Sequence, residues 1–169
     1  FYGSVTGGSI SDSAKVDVTF ATDGGSAVDT QKVIRGQKAA SPTAPTKAGY
    51  TFDKWYNGTE VYDFDKPVTE PITLTAKWLT GEGTAASPIL ISNAEELKIF
   101  HDIVNGENGR QQKLDACATL TADIVLNDGT FDEDGNYTPG PSSITTATEW
   151  TPMGVSTSAS YTGTFDGAG

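Results

Sequence analysis

The sequence is poor in the side chains that most often carry chemistry. Its 169 residues include one cysteine, Cys117, and one histidine, His101. A structural zinc site takes three or four Cys or His ligands and a disulfide takes two cysteines, so the chain supplies neither by itself. A Ser-His-Asp arrangement could draw only on His101, which falls in an expected helix with no nucleophile elbow beside it. Basic residues are scarce as well: 11 against 22 acidic ones, a formal charge of −11. Phosphate recognition needs clustered Lys and Arg, so this balance argues against nucleic acid and against an anionic membrane surface. No apolar run approaches the length of a membrane span, and we expect no membrane insertion. The chain opens on Phe1, with neither Met nor a signal peptide, and reads as a piece of something longer. Cys117, in Leu114-Asp115-Ala116-Cys117-Ala118-Thr119-Leu120, reads as a small buried hydrophobe.

What is abundant is Thr (24), Gly (19) and Ser (13), alongside a hydrophobic fraction of only 36%. Thr among alternating apolar residues suits strands, and Gly with Ser suits the turns between them. The composition points to a β-rich secreted module. The acid is unevenly placed. Residues 1–80 hold nine acids and eight bases, net −1, while residues 81–169 hold thirteen acids and three bases (Lys98, Arg110, Lys113), net −10. The shift falls at Thr80-Gly81-Glu82-Gly83-Thr84, a Gly-rich step without hydrophobic periodicity, and marks a domain boundary. We expect a tail or the end of a preceding module at 1–14, one domain at 15–80 and a second at 81–169.

In the first domain Val16, Val18 and Phe20 alternate with polar residues, the mark of a half-buried strand. Thr22-Asp23-Gly24-Gly25 supplies a turn, Gln31 to Arg35 a second strand closed by Gly36, and Ala39 to Ala48, with Pro42 and Pro45, an exposed extended loop. Gly49-Tyr50-Thr51-Phe52-Asp53-Lys54-Trp55-Tyr56 is an aromatic strand followed by Asn57-Gly58, a strong hairpin signal, and Glu60 to Phe64 answers it. Ile72, Leu74, Ala76 and Trp78 face one way in a last strand. The run Val18-Thr19-Phe20, Asp23-Gly24-Gly25, Gly36, Pro42, Pro45, Gly49-Tyr50-Thr51-Phe52, Trp55-Tyr56 and Leu74-Thr75-Ala76-Lys77-Trp78 resembles a Listeria–Bacteroides repeat, the B-repeat of internalin-like surface proteins. It covers residues 16–78 and departs at Lys54, where the family usually has Gly. The resemblance implies a small β-grasp-like module used as a stalk in extracellular bacterial proteins. Tyr50, Phe52, Trp55 and Tyr56 could stack on sugars, but a module this small needs those rings for its core.

In the second domain Ser87-Pro88-Ile89-Leu90-Ile91 reads as a short strand. Ser92-Asn93-Ala94-Glu95 reads as a capping box, with the Ser92 hydroxyl accepting from the Glu95 N–H. Leu97, Ile99, Phe100, Ile103 and Val104 form a helical stripe ended by Asn105-Gly106, giving a helix over about 93–105 with His101 beside the stripe as a structural residue. Ala118 to Leu126 reads as a strand with Leu120, Ala122, Ile124 and Leu126 inward. Gly129 to Thr138 reads as a hairpin turning on Asp134-Gly135, Pro139 to Thr148 as a loop, and Trp150 to Gly154 and Tyr161 to Gly167 as short strands. Pro88-Ile89-Leu90-Ile91-Ser92, Glu96-Leu97, Phe100, Leu120-Thr121-Ala122-Asp123-Ile124, Trp150-Thr151-Pro152-Met153-Gly154 and Tyr161-Thr162-Gly163-Thr164-Phe165-Asp166-Gly167 resemble the opening segment of GLUG-type bacterial surface proteins, over residues 83–169. That resemblance implies the capped start of a right-handed β-helix whose end a short helix protects against edge pairing.

Asp128, Asp132, Asp134 and Asn136 form the sequence's one oxygen-rich run with the look of a calcium loop. It fails the EF-hand pattern, because Gly135 as sixth position puts Thr130 first and Pro141 twelfth. Asp-Gly-Asn is also ordinary turn chemistry. A hydrolase would need two carboxylates facing across a sugar, and a calcium-dependent lyase a base beside the acids; nothing pairs Lys98, Arg110 or Lys113 with the run. We therefore expect no enzyme, no cofactor and no catalytic or metal-site residues. The expected function is that of a non-catalytic, extracellular cell-surface fragment, a spacer plus a β-helical adhesin region, whose partner is an unknown protein or glycan. The alternative is an accessory domain of a large secreted protease or carbohydrate-active enzyme; a third reading is a stalk with no ligand.

Overall fold

The computed structural model describes residues 14–127, 129–140, 150–154 and 160–167. Expectations for the tail before Ala14, for 141–148 and for Asp128 lie outside these residues. The described chain is mainly β, with one short helix and no closed barrel. It separates into two compact units, one built from residues up to 48 with 52–78, the other from 49–51 with 79 onward.

The first unit carries a mixed five-stranded sheet of β1 (Lys15–Ala21), β2 (Gln31–Ile34), β3 (Tyr50–Asn57), β4 (Glu60–Val61) and β5 (Ile72–Thr80), in the order β2-β1-β5-β3-β4. The alternation in β1 buries Val16, Val18 and Phe20. Antiparallel pairing sets Val16 opposite Val33 in β2, and parallel pairing sets Val18 opposite Ile72 and Phe20 opposite Leu74 in β5. After β1 the chain turns through Asp23 (φ 48°) and Gly24 (φ 84°). At Gly25 a Cβ would stand 2.5 Å from the Trp78 ring, whose Nε1 donates to the Thr22 carbonyl at 3.0 Å. Only glycine lets that indole close over the turn. Asn57 pairs with Glu60, so the two loop residues of the β3–β4 hairpin are Gly58 (φ 62°) and Thr59, one place later than the Asn-Gly dipeptide suggested. The 39–48 loop has no regular structure and is mostly exposed, but it buries Ala39 and Pro45.

The core of this unit joins Val16, Val18, Phe20, Val33, Trp55, Val68, Leu74 and Ala76. Phe20 meets Trp55 edge-on at 4.9 Å, and Phe52 lies 5.5 Å from both Trp55 and Trp78. Phe52 and Trp55, three positions apart, both reach this core, so β3 departs from strict alternation at Asp53–Lys54. Tyr56 is buried as well, its hydroxyl donating to the buried Asp53 at 2.8 Å. Tyr50 differs from expectation: it remains 39% exposed. Each large ring removed from water contributes about 1.5–3 kcal/mol, a substantial share of the stability of so small a module.

The second unit is organised by three parallel strands, β6 (Ile89–Ile91), β7 (Ala118–Leu120) and β10 (Phe165–Asp166), in the order β10-β7-β6. Register stacks Ile89, Ala118 and Phe165 in one column and Leu90, Thr119 and Asp166 in the next. Helix α1 (Ala94–Asn105) lays Leu97, Phe100, Ile103 and Val104 on Ile89, Ile91, Ala116 and Ala118. Its start corrects the expected capping box by one residue. Asn93 is the N-cap, accepting from the Glu96 N–H at 2.9 Å, and Glu96 reaches back to the Ser92 N–H and hydroxyl at 2.7 and 2.8 Å. Either residue could cap by type; the extended backbone of Asn93 (φ −152°) decides between them. Gly106 ends the helix in the left-handed region, its N–H bonded to the Asp102 carbonyl.

Three strand expectations here are also corrected. The strand placed at Ala118–Leu126 stops at Leu120, with Ala122 exposed and Ile124 and Leu126 half-buried. Thr121 N–H makes a last bond to the Ile91 carbonyl, but β6 ends at Ile91, where the chain enters the helix cap, so the ladder has no further partner. The segment Trp150–Gly154 is irregular, because its polar groups bond to α1 side chains. Within Tyr161–Gly167 only Phe165–Asp166 is strand. The remaining strands, β8 (Thr130–Phe131) and β9 (Tyr137–Thr138), form the expected antiparallel hairpin around Gly135 (φ 82°).

Candidate functional site

A dense polar cluster of the second unit lies at the C-terminal end of α1. His101 and Asp102 sit side by side there, 4% and 3% exposed, so the hydrogen bonds they make act in a low dielectric. His101 Nε2 lies 2.9 Å from both the Thr151 carbonyl and the Thr151 hydroxyl, and its Nδ1 faces Asp102 Oδ1 at 3.3 Å. The Trp150 ring lies 4.7 Å from the imidazole. One turn on, Asn105 Nδ2 donates to the Pro152 carbonyl at 3.1 Å and its Oδ1 accepts from the Gly154 N–H at 2.9 Å. Asp102 gathers the loop after the helix. Its Oδ2 accepts from Asn108 at 2.7 Å and Arg110 at 3.2 Å, while Oδ1 faces Lys98 at 3.4 Å. Burial alone would raise the Asp102 pKa, but the hydrogen bonds from Asn108 and His101 and the charges of Lys98 and Arg110 hold it below the usual carboxylate value.

His101, Asp102 and Glu107 bring metal-ligating atoms within 4.8 Å of one another. Chemistry argues for a different use. Asp102 already faces four donors, Arg110 cannot give up its proton, and a dication would have to displace both. The cluster works as a latch: α1 holds 150–154 through His101 and Asn105, and the 107–110 turn through Asp102. Sequence reasoning placed His101 as structural and missed the partners of the cluster, since Thr151 is fifty residues away and Arg110, beyond the helix end, carries no spacing signal.

The acidic run is arranged as a turn. Asp132 Oδ1 accepts from the Asp134 and Asn136 N–H groups at 3.0 and 2.8 Å, and Oδ2 accepts from Asn136 Nδ2 at 2.9 Å. The side-chain bond from Asn136, followed by the backbone bonds, lowers the Asp132 pKa. The structure therefore spends the Asp132 and Asn136 side chains on each other; Asp128 lies outside the described residues. A cleft of about 290 Å³ opens between Leu120, Thr121, Ala122, Asp123 and Gly167, at the ends of β7 and β10. Its lining offers one carboxylate and no cation. Cys117 is buried, as expected, and takes the Thr164 N–H at 3.4 Å on its sulfur.

The family comparison bears on the first unit. Residues 17–77 match the model of the Listeria-Bacteroides repeat domain, and that segment is such a repeat. Over 65 residues, 36% of the chain, the sequence is 43% identical to a protein of Evansella cellulosilytica named "Putative membrane protein". The matched segment spans about 10% of that relative's length. The GLUG-type resemblance of 83–169 draws no support from these comparisons. Among the described residues no helix is long and apolar enough to cross a membrane.

Proposed function

We propose, starting from the Listeria-Bacteroides repeat at residues 17–77, that the chain is a non-catalytic part of a modular bacterial protein at the cell surface: a β-grasp-like spacer followed by the start of a β-helical adhesion region. The repeat match carries the reading, and the relative's membrane name agrees with a surface setting. Two features of the fold support the finer parts. The order β2-β1-β5-β3-β4 with a parallel central pair suits a β-grasp-like module. In the second unit, parallel strands stacked in register beside a capping helix suit the first coils of a GLUG-type solenoid. The engagement of the chain's single imidazole in a latch supports a non-catalytic role. Beads coated with the whole chain should attach to host cells or to a glycan array above the level of beads coated with an unrelated acidic protein. Attachment no better than that control overturns adhesion and leaves a passive spacer.

A further inference from the structure

We infer that the β8–β9 hairpin is a docking element for a basic segment of a partner protein. Phe131 and Tyr137 are directly paired across the hairpin, so their side chains share one face, with ring centroids 5.2 Å apart. Phe131 is 55% exposed, the most exposed large apolar side chain among the described residues, and neither ring joins the core of the second unit. A two-stranded hairpin buries too little to be stable by itself, so an exposed Phe131 ring beside a half-buried Tyr137, whose hydroxyl accepts from the Gly129 N–H at 3.0 Å, suits a surface that a partner completes.

Charge selects that partner. The turn beside the rings carries Glu133 and Asp134, both exposed, next to Asp132, which is occupied holding the turn. The unit's three cations are engaged internally: Lys98 and Arg110 on Asp102, and Lys113 at 3.3 and 3.4 Å from the Glu82 and Gly83 carbonyls. A neutral apolar partner pressed on Phe131 would desolvate the two neighbouring carboxylates without compensation, which is costly. An arginine- or lysine-bearing segment meets both features at once, its cation over the rings and its remaining donors on Glu133 and Asp134. The inference rests on the adhesion reading, because a passive spacer needs no partner, but it is tested separately from cell attachment.

The test uses the whole chain and a short labelled peptide of alternating Arg and Ala, with its Glu–Ala counterpart and a neutral oligosaccharide as comparisons. The basic peptide should bind, and the other two should not. Phe131→Leu, which keeps an apolar strand residue and removes the π face, should weaken binding about two- to fivefold. Glu133→Gln with Asp134→Asn should weaken it at least as much, whereas Glu95→Gln with Asp115→Asn, exposed acids of the same unit, should leave it unchanged. Absence of basic-peptide binding, an equal loss in the control pair, or binding of the oligosaccharide instead overturns the inference. Cell attachment that persists alongside any of these results leaves adhesion standing and places it elsewhere on the chain.

Discussion

Replacing Asp102 with Asn tests whether the buried cluster holds the second unit together. The substitution keeps the side-chain volume and one acceptor oxygen while removing the charge. Lys98 loses little, since its side chain is 60% exposed and such pairs are worth at most a few tenths of a kcal/mol. Arg110 loses much more. Its side chain is only 10% exposed, and removing the charged partner of a buried ion pair costs up to about 3–5 kcal/mol. The acceptor that Asn retains returns about 1 kcal/mol, so the net cost should be about 2–4 kcal/mol. At about 4–8 °C per kcal/mol for a unit of this size, its melting midpoint should fall by about 10 °C or more. The pH dependence adds a second arm. Because the folded-state pKa of Asp102 is depressed, its contribution is complete above the ordinary aspartate pKa and is lost as pH falls through the folded value. The gap between wild type and variant should therefore close on acidification. Urea unfolding followed through the amide resonances of α1 measures both arms. A cost below about 0.5 kcal/mol at neutral pH, or a gap that does not narrow in acid, refutes the reasoning.

Other substitutions isolate other parts. Trp55→Ala should cost about 3–5 kcal/mol and unfold the repeat, whereas Trp55→Phe should cost far less, because the indole N–H is buried without a partner and its removal offsets the lost area; near-equal losses in urea unfolding would contradict this. Gly163→Ala places a Cβ 1.9 Å from the Ala116 carbonyl and should detach β10 from β7, seen as lost exchange protection at the Ala118 N–H that bonds to Thr164. In the hairpin, the Asp132 carboxyl should titrate below the ordinary aspartate value, and acidification through that pKa should loosen the turn. Millimolar calcium should leave the thermal midpoint unmoved, since the turn itself uses Asp132 and Asn136; a clear rise would restore the calcium reading.

The parts legible in the sequence are those governed by local periodicity. Val16, Val18 and Phe20 announce β1, and Leu97, Phe100, Ile103 and Val104 announce α1, because each pattern reports which face meets the core. The capping residue was off by one, since Ser92 and Asn93 can both cap and only the backbone selects Asn93. The strand read through Leu126 was too long because its alternation continues after its partner β6 has ended, and partner length is a non-local property. The latch was invisible for the same reason: His101 finds Thr151 fifty residues away. Tyr50 shows the limit of type alone, an aromatic on a core strand that remains partly in water.

Parallel pairing of β1 with β5 has a mechanical consequence. The two strands are the first and last of the repeat, and Val18, Thr19, Phe20 and Ala21 stand against Ile72, Thr73, Leu74 and Thr75. Because both run the same way, tension applied through the chain ends of this unit pulls the start of β1 and the end of β5 in opposite directions along the ladder. The load is shared by all the rungs in shear, and no end of the ladder opens first. An antiparallel pair of terminal strands joined at one end would unzip a rung at a time under the same pull. Under such a pull the small module lengthens only when the whole central ladder gives way together.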